Sequence, residues 1–218
     1  MRSSINKLIK TLSQKFEFKE PIYEFGSLCI RGQEDRSCLK NLFPNKEYVG
    51  CDLKKGPGVD RILDLHNIDL SDNSVGTVIM LDVIEHVEFC RRAIQEVHRI
   101  LMPGGIAIIV SVMYFPIHNY PSDYWRFTPE GFKSLLSPFS DSIIESVGLP
   151  AFPVTVLAIA FKRDVTDNYV ENFRREIAIW KKQIRNSWQE LVAIFFPPIL
   201  FVPLYSLYRK FEIKIKNR

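Results

Sequence analysis

Four carboxylates stand at the ends of short apolar runs. Glu24 lies in Ile22-Tyr23-Glu24-Phe25-Gly26-Ser27, Asp52 follows Tyr48-Val49-Gly50-Cys51, Asp64 follows Val59–Leu63, and Asp82 follows Val75–Leu81. An ionised carboxylate only accepts hydrogen bonds, and its two oxygens suit the paired hydroxyls of a ribose. A strand-end acid can also cap the helix that follows, and for Glu24 and Asp82 both readings stand. A second group lies between residues 113 and 127, where His118, Asp123 and Arg126 are set among Tyr114, Phe115, Tyr120, Tyr124, Trp125 and Phe127. Histidine and aspartate can take a proton from a hydroxyl within hydrogen-bond reach, and aromatic faces attract a cation. His118 and Asp123 are therefore the candidate bases. Asp123-Tyr124-Trp125-Arg126 reads either as an acceptor pocket or as a packed lid held by an Arg–carboxylate bond.

These residues need a frame to hold them. The apolar runs predict strands at 21–25, 47–51, 59–63, 75–81 and 106–112, with a helix from Phe89 to Leu101 stopped by Pro103-Gly104-Gly105. The run 75–81 is apolar on both alternations, as in a central parallel strand covered on both faces. The polar stretch between the first two strands has room for a crossover helix, so the chain opens as a βαβ unit. Ligands bind such sheets at the carboxyl ends of the strands. Thr128-Pro129 opens a helix through Leu136, and two last strands, 143–147 and 154–161, pair antiparallel at a sheet edge. The predicted class is α/β: a Rossmann-like, doubly wound, mostly parallel sheet with an antiparallel edge strand and a C-terminal helical and apolar appendage. Glu85 and His86 open a helix in this reading; they cap or solvate it, or His86 takes a direct part in the chemistry.

Gly26 supplies the turn after the first strand, but Leu28 and Arg31 stand where a GxGxxG pattern needs glycines. A pyrophosphate ligand, and with it a nicotinamide-dependent oxidoreductase, is disfavoured. The four cysteines show no metal spacing, no metal site is suggested, and buried thiols in a reducing, cytoplasmic compartment are expected. The formal charge of +4 is carried by the two ends: residues 1–15 and 209–218 each sum to +4. Charge so placed does not line a cleft for nucleic acid.

Five pieces together resemble class I S-adenosylmethionine (SAM) dependent methyltransferases of the methyltransferase type 11 kind. They are Tyr23-Glu24-Phe25-Gly26-Ser27, Val49-Gly50-Cys51-Asp52, Asp64-Leu65-His66, Leu81-Asp82-Val83-Ile84-Glu85-His86-Val87 and Leu101-Met102-Pro103-Gly104-Gly105. The stretch from Phe115 to Pro129 is similar to a subgroup associated with glycan and cell-surface biosynthesis. The resemblance implies SAM as cofactor, with Glu24 and Gly26 along its methionine, Asp52 on the ribose, Asp64 and Leu65 at the adenine, and Asp82 near the amino group or the acceptor. His66 would lie beside the ring, and Tyr124, Trp125 and Arg126 would meet a small-molecule or glycan acceptor, such as a lipid-linked sugar hydroxyl. The family usually carries a second glycine where Leu28 stands. That departure leaves open a non-catalytic SAM-binding partner subunit.

The ends raise a different question. Residues 4–16 put Ile5, Leu8, Ile9, Leu12 and Phe16 on one helical face, which suits a cover helix or an interfacial one. Val170, Phe173, Ile177, Trp180, Ile184, Trp188 and Leu191 repeat at helical steps and lead into eighteen uncharged residues, 191–208, with three prolines. The division is thus 1–163 for the SAM-binding domain and 164–218 for an amphipathic helix and basic-ended tail. That tail is expected to meet a partner or second subunit, to pack on its own domain, or to lie on the cytoplasmic face of a membrane; the prolines disfavour a span. A membrane-surface scaffold is the remaining rival.

Overall fold

The computed structural model describes residues 3–29, 39–118 and 122–185. In chain order its main elements are α1 (Ser3–Lys15), β1 (Ile22–Phe25), β2 (Tyr48–Asp52), β3 (Arg61–Ile62), β4 (Val75–Leu81), α2 (Cys90–Ile100), β5 (Leu101–Val112), α3 (Pro129–Leu135), β6 (Asp141–Leu149), β7 (Phe152–Phe161) and α4 (Asp167–Arg185). The strands form one sheet in the order β3-β2-β1-β4-β5-β7-β6. The first five strands are parallel, and β7 runs against both β5 and β6. The strand order reverses between β1 and β4, and this is where a doubly wound sheet opens a crevice for a ligand.

Both faces of the sheet are covered, which is why its central strands are apolar throughout. Val78 and Met80 face a core shared with Ile94 and Val97 of α2 and Phe132 of α3. Ile79 and Ile108 face the opposite core, with Leu8 and Leu12 of α1 and Phe173 and Ile177 of α4. The expected cover helix is α1, whose Ile5, Leu8, Ile9 and Leu12 are all buried.

The apolar stripe of α4 is covered by the chain itself. Phe173 stacks on Phe16 at 3.9 Å. The Trp180 indole donates to the Ser4 carbonyl at 2.9 Å, and Lys15 pairs with Glu176 at 2.8 Å. Over residues 170–180 the face offered to a partner or membrane is therefore internal. Trp188 and the apolar tail 191–208 lie outside the described residues. Among the described residues no helix is long and apolar enough to cross a membrane.

Pro103-Gly104-Gly105 does not stop a helix, because α2 has already ended at Ile100 and β5 has begun. The three residues form an irregularity in the β4–β5 pairing, with Gly104 at φ +76°. Gly104 N–H donates to Arg163 O, and Gly105 O accepts from Lys162 N–H, so the chain leaving β7 satisfies this kink.

Candidate functional site

The parallel register brings the strand-end acids to one edge. Phe25 lies beside Cys51 on one side and Met80 on the other. Gly26 and Ser27 then donate to the Cys51 carbonyl at 2.8 and 3.0 Å, so the turn after β1 sits against the tip of β2. Asp52, half-buried there, accepts the Lys54 N–H at 3.1 Å. Asp82 continues the sheet through an N–H to Val110 O bond, then turns left-handed at φ +57°. That turn brings Val83 over Gly26, where an added Cβ would lie 2.3 Å from Val83 Cγ2. Gly26, already at φ +81°, could be no other residue without strain.

Glu24 is buried, and Tyr48 OH donates to its Oε2 at 2.7 Å. Burial pushes its carboxyl up to about 7, against the hydrogen bond that favours the anion. Asp64 accepts from both the backbone N–H and the Nδ1 of His66 at 2.8 Å, while His66 Nε2 accepts the Phe89 N–H at 3.2 Å. These two bonds fix the tautomer of His66 and tie Asp64 to the start of α2. Leu65 beside them is buried.

Leu28 has a partner that the sequence did not reveal. A Cβ on Gly56 would lie 2.3 Å from Leu28 Cδ1, and one on Gly58 would lie 2.5 Å from Ser27 O. The loop 54–58 therefore lies flat on the turn after β1, with Cys29 N–H donating to Pro57 O at 2.8 Å. The close approach that a second glycine would permit in the turn is made here from the facing loop.

The aromatic loop is pinned at both ends. Met113 and Tyr114 donate to Val154 O and Pro153 O at the start of β7, and Phe127 donates to Val112 O. In its middle, Tyr124 N–H and Trp125 N–H donate to Glu85 O at 2.9 and 3.2 Å. The Trp125 indole adds bonds to Val87 O and Glu88 O at 3.0 and 3.1 Å. Arg126 reaches Phe115 O and Pro116 O and grips both oxygens of Asp123. That Arg126 bond holds the Asp123 carboxyl well below the usual range; the N–H of His118 adds to it. Asp123 and Arg126 thus brace the loop. So low an affinity for protons makes Asp123 a poor base, whereas Tyr124 and Trp125 keep almost half their surface exposed.

Bracing the loop brings two histidines together. His86 and His118 meet edge to face with centroids 4.8 Å apart, and Phe115 flanks His118 at 5.0 Å. His86 Nδ1 lies 2.5 Å from Ser122 O. Burial lowers the His86 pKa, with the field of His118 acting the same way and the Ser122 bond opposing them. Next to them Glu85 is fully buried, and Ser111 Oγ donates to its Oε2 at 2.8 Å. Glu85 and His86 lie on a 3-10 turn, Ile84–His86, ahead of α2, so they do not open that helix. Sequence reasoning missed their link to His118; its one signal was Ser111, a hydroxyl at the end of an apolar run.

Residues 36–109 match the methyltransferase-domain family Methyltransf_11. No curated relative matches the chain. Among solved structures, the fold is similar to that of the CurJ carbon methyltransferase, with TM-score 0.54 and 17% identity over 73% of this chain and 53% of that one. The chain thus spans about half the length of that protein. A 1,6-didemethyltoxoflavin-N1-methyltransferase from Burkholderia thailandensis, bound to 1,6-didemethyltoxoflavin and S-adenosylhomocysteine, gives TM-score 0.56 and 16% identity over 74% and 79%. A SAM-dependent methyltransferase from Thermotoga maritima gives 0.53 and 17% over 73% and 89%. The family match thus covers residues 36–109, and the fold of the described residues is shared with these methyltransferases.

Proposed function

We propose that this chain methylates a hydroxyl of a small-molecule acceptor held under the aromatic loop, with a glycan or lipid-linked sugar as the acceptor class to test first. The observation that carries this reading is one edge bearing both sets of groups: the strand-end acids on β1, β2 and β4, and a histidine pair made of His86 on the turn after β4 and His118 on the loop after β5. The residues present fit SAM. A turn with one glycine suits a ligand without phosphates, and Asp52 stands half-exposed where ribose hydroxyls could donate to it. Glu24 and Gly26 would line the methionine, Asp64 and Leu65 the adenine, and Asp82 the amino group or the acceptor. SAM supplies a methyl group already activated as a sulfonium. The protein's share is then alignment, exclusion of water, and removal of the acceptor's proton. His118 takes that proton; Asp123 and Arg126 position it, and Tyr124 and Trp125 offer faces for the acceptor.

One observation favours a second reading. Leu28 packed against Gly56 fills space at the turn where the family has glycine, as a SAM-binding subunit without turnover could tolerate. One experiment separates the two. SAM binding is measured by calorimetry, and S-adenosylhomocysteine release is followed with glycans, lipid-linked sugars and small phenols. Release with a hydroxyl acceptor supports the first reading; SAM binding without release from any acceptor supports the second. Absence of SAM binding overturns both.

A further inference from the structure

We propose that Glu85, His86 and His118 form a binding site for a divalent first-row transition-metal cation. One ligand atom from each lies within 4.8 Å of the others, and the donor set is one carboxylate oxygen and two imidazole nitrogens. That is the set used by open zinc sites, where three protein ligands leave one position for water or substrate. Zinc–nitrogen bonds of about 2.0–2.1 Å put ligand atoms about 3.3 Å apart in a tetrahedral shell, so a seated ion draws the loop inward.

Each ligand is already oriented. His86 Nδ1 lies 2.5 Å from Ser122 O, and a carbonyl can only accept, so Nδ1 carries the proton and the Nε2 lone pair is presented. His118 repeats the arrangement, with Nδ1 3.2 Å from Pro116 O and 3.2 Å from Asp123 Oδ2. Metal-ligating histidines characteristically donate their second nitrogen to such a carbonyl or carboxylate. Ser111 Oγ holds the Glu85 carboxylate from behind at 2.8 Å, and the Tyr124 and Trp125 N–H groups hold the Glu85 backbone. The charge balance also suits a cation. Arg126 is the nearby positive group whose field Glu85 shares, and Asp123 neutralises it with two contacts.

This deepens, and rests on, the reading in which a methyl group moves to an acceptor hydroxyl and His118 takes the proton directly. A cation here would instead hold the acceptor's oxygen and lower the pKa of its hydroxyl, and the proton would leave to water. The existence of the site does not depend on that use. The full chain, stripped with a chelator, is titrated with Zn2+ by calorimetry and with Co2+ by visible absorption, in the absence of SAM and acceptor. One ion per chain is expected, with a Co2+ spectrum of low-symmetry nitrogen and oxygen ligation. His118→Ala, on the half-exposed loop, and His86→Ala should each weaken binding at least about tenfold. His98→Ala, which removes a ring packed on Phe139 away from the cluster, should leave it unchanged. No saturable single-ion binding, or a His118→Ala variant that titrates like the parent, overturns the site; the paired rings are then packing alone. Turnover unaffected by the chelator would also overturn the catalytic use, while single-ion binding with no turnover on any acceptor would leave the site standing and sink the methyl-transfer reading.

Discussion

Asp52 is a carboxylate at a strand tip, joined to its own loop by the Lys54 N–H. On the proposed reading, Asp52→Ala removes a charge-assisted bond to the ribose, a loss of about 1.5–3 kcal/mol, or roughly ten- to hundred-fold in SAM affinity. Calorimetry on the folded variant checks this; unchanged affinity would move the ribose elsewhere. Glu24 poses a different problem, because it is buried with its carboxyl pushed up to about 7 from an ordinary 4.5. The folded state therefore holds this proton more tightly than the unfolded one. Its contribution to stability is complete below about 4.5 and is lost as the pH rises through 7. Denaturant midpoints between pH 5 and pH 8 should fall more steeply for the parent than for Glu24→Gln; parallel curves would refute the shift. His118→Ala should lower turnover far more than SAM affinity, whereas Asp123→Ala should also loosen the loop, read as faster proteolysis between Phe115 and Arg126.

At the scale of elements, the turn after β1 and the left-handed end of β4 form one device. Gly26→Ala places a Cβ against Val83 at a positive φ, and should cost about 1–3 kcal/mol and weaken SAM binding with it. A melting curve and a titration on the same sample test both. Strands β1, β2 and β4 were legible because buried parallel strands need apolar residues on both alternations. The start of β5 was not, because Pro-Gly-Gly reads as a stop, and only the partner carbonyl at Arg163 and N–H at Lys162 turn it into a tolerated kink. The strand-end acids could be read one strand at a time. The joining of Glu85 and His86 to His118 could not, since Arg126 and the Glu85 backbone achieve it across the fold. Periodicity showed that α4 has an apolar face but not what covers it.

Over the whole molecule, α4 decides where the domain ends. Its Phe173, Ile177 and Trp180 share a core with α1 and the sheet, and loss of one buried tryptophan side chain alone typically costs about 3–5 kcal/mol. Truncation after Arg163 should therefore prevent folding, while truncation after Arg185 should keep both the thermal midpoint and SAM binding. The membrane proposal then concerns 186–218: the full chain is expected to bind anionic vesicles and the shorter chain to stay free, and equal behaviour of the two would end that reading. One strand direction has a consequence for the order in which the protein comes into being. Because β7 is inserted backwards between β5 and β6, the carbonyls that anchor Met113 and Tyr114 arrive only with Pro153 and Val154. A nascent chain on the ribosome can lay down β1, β2 and β4, and with them the strand-end acids, before the loop after β5 is anchored. The loop that brings His118 to His86 gains this anchor only after the final hairpin has emerged, so in an unfinished copy the two rings have no fixed meeting place.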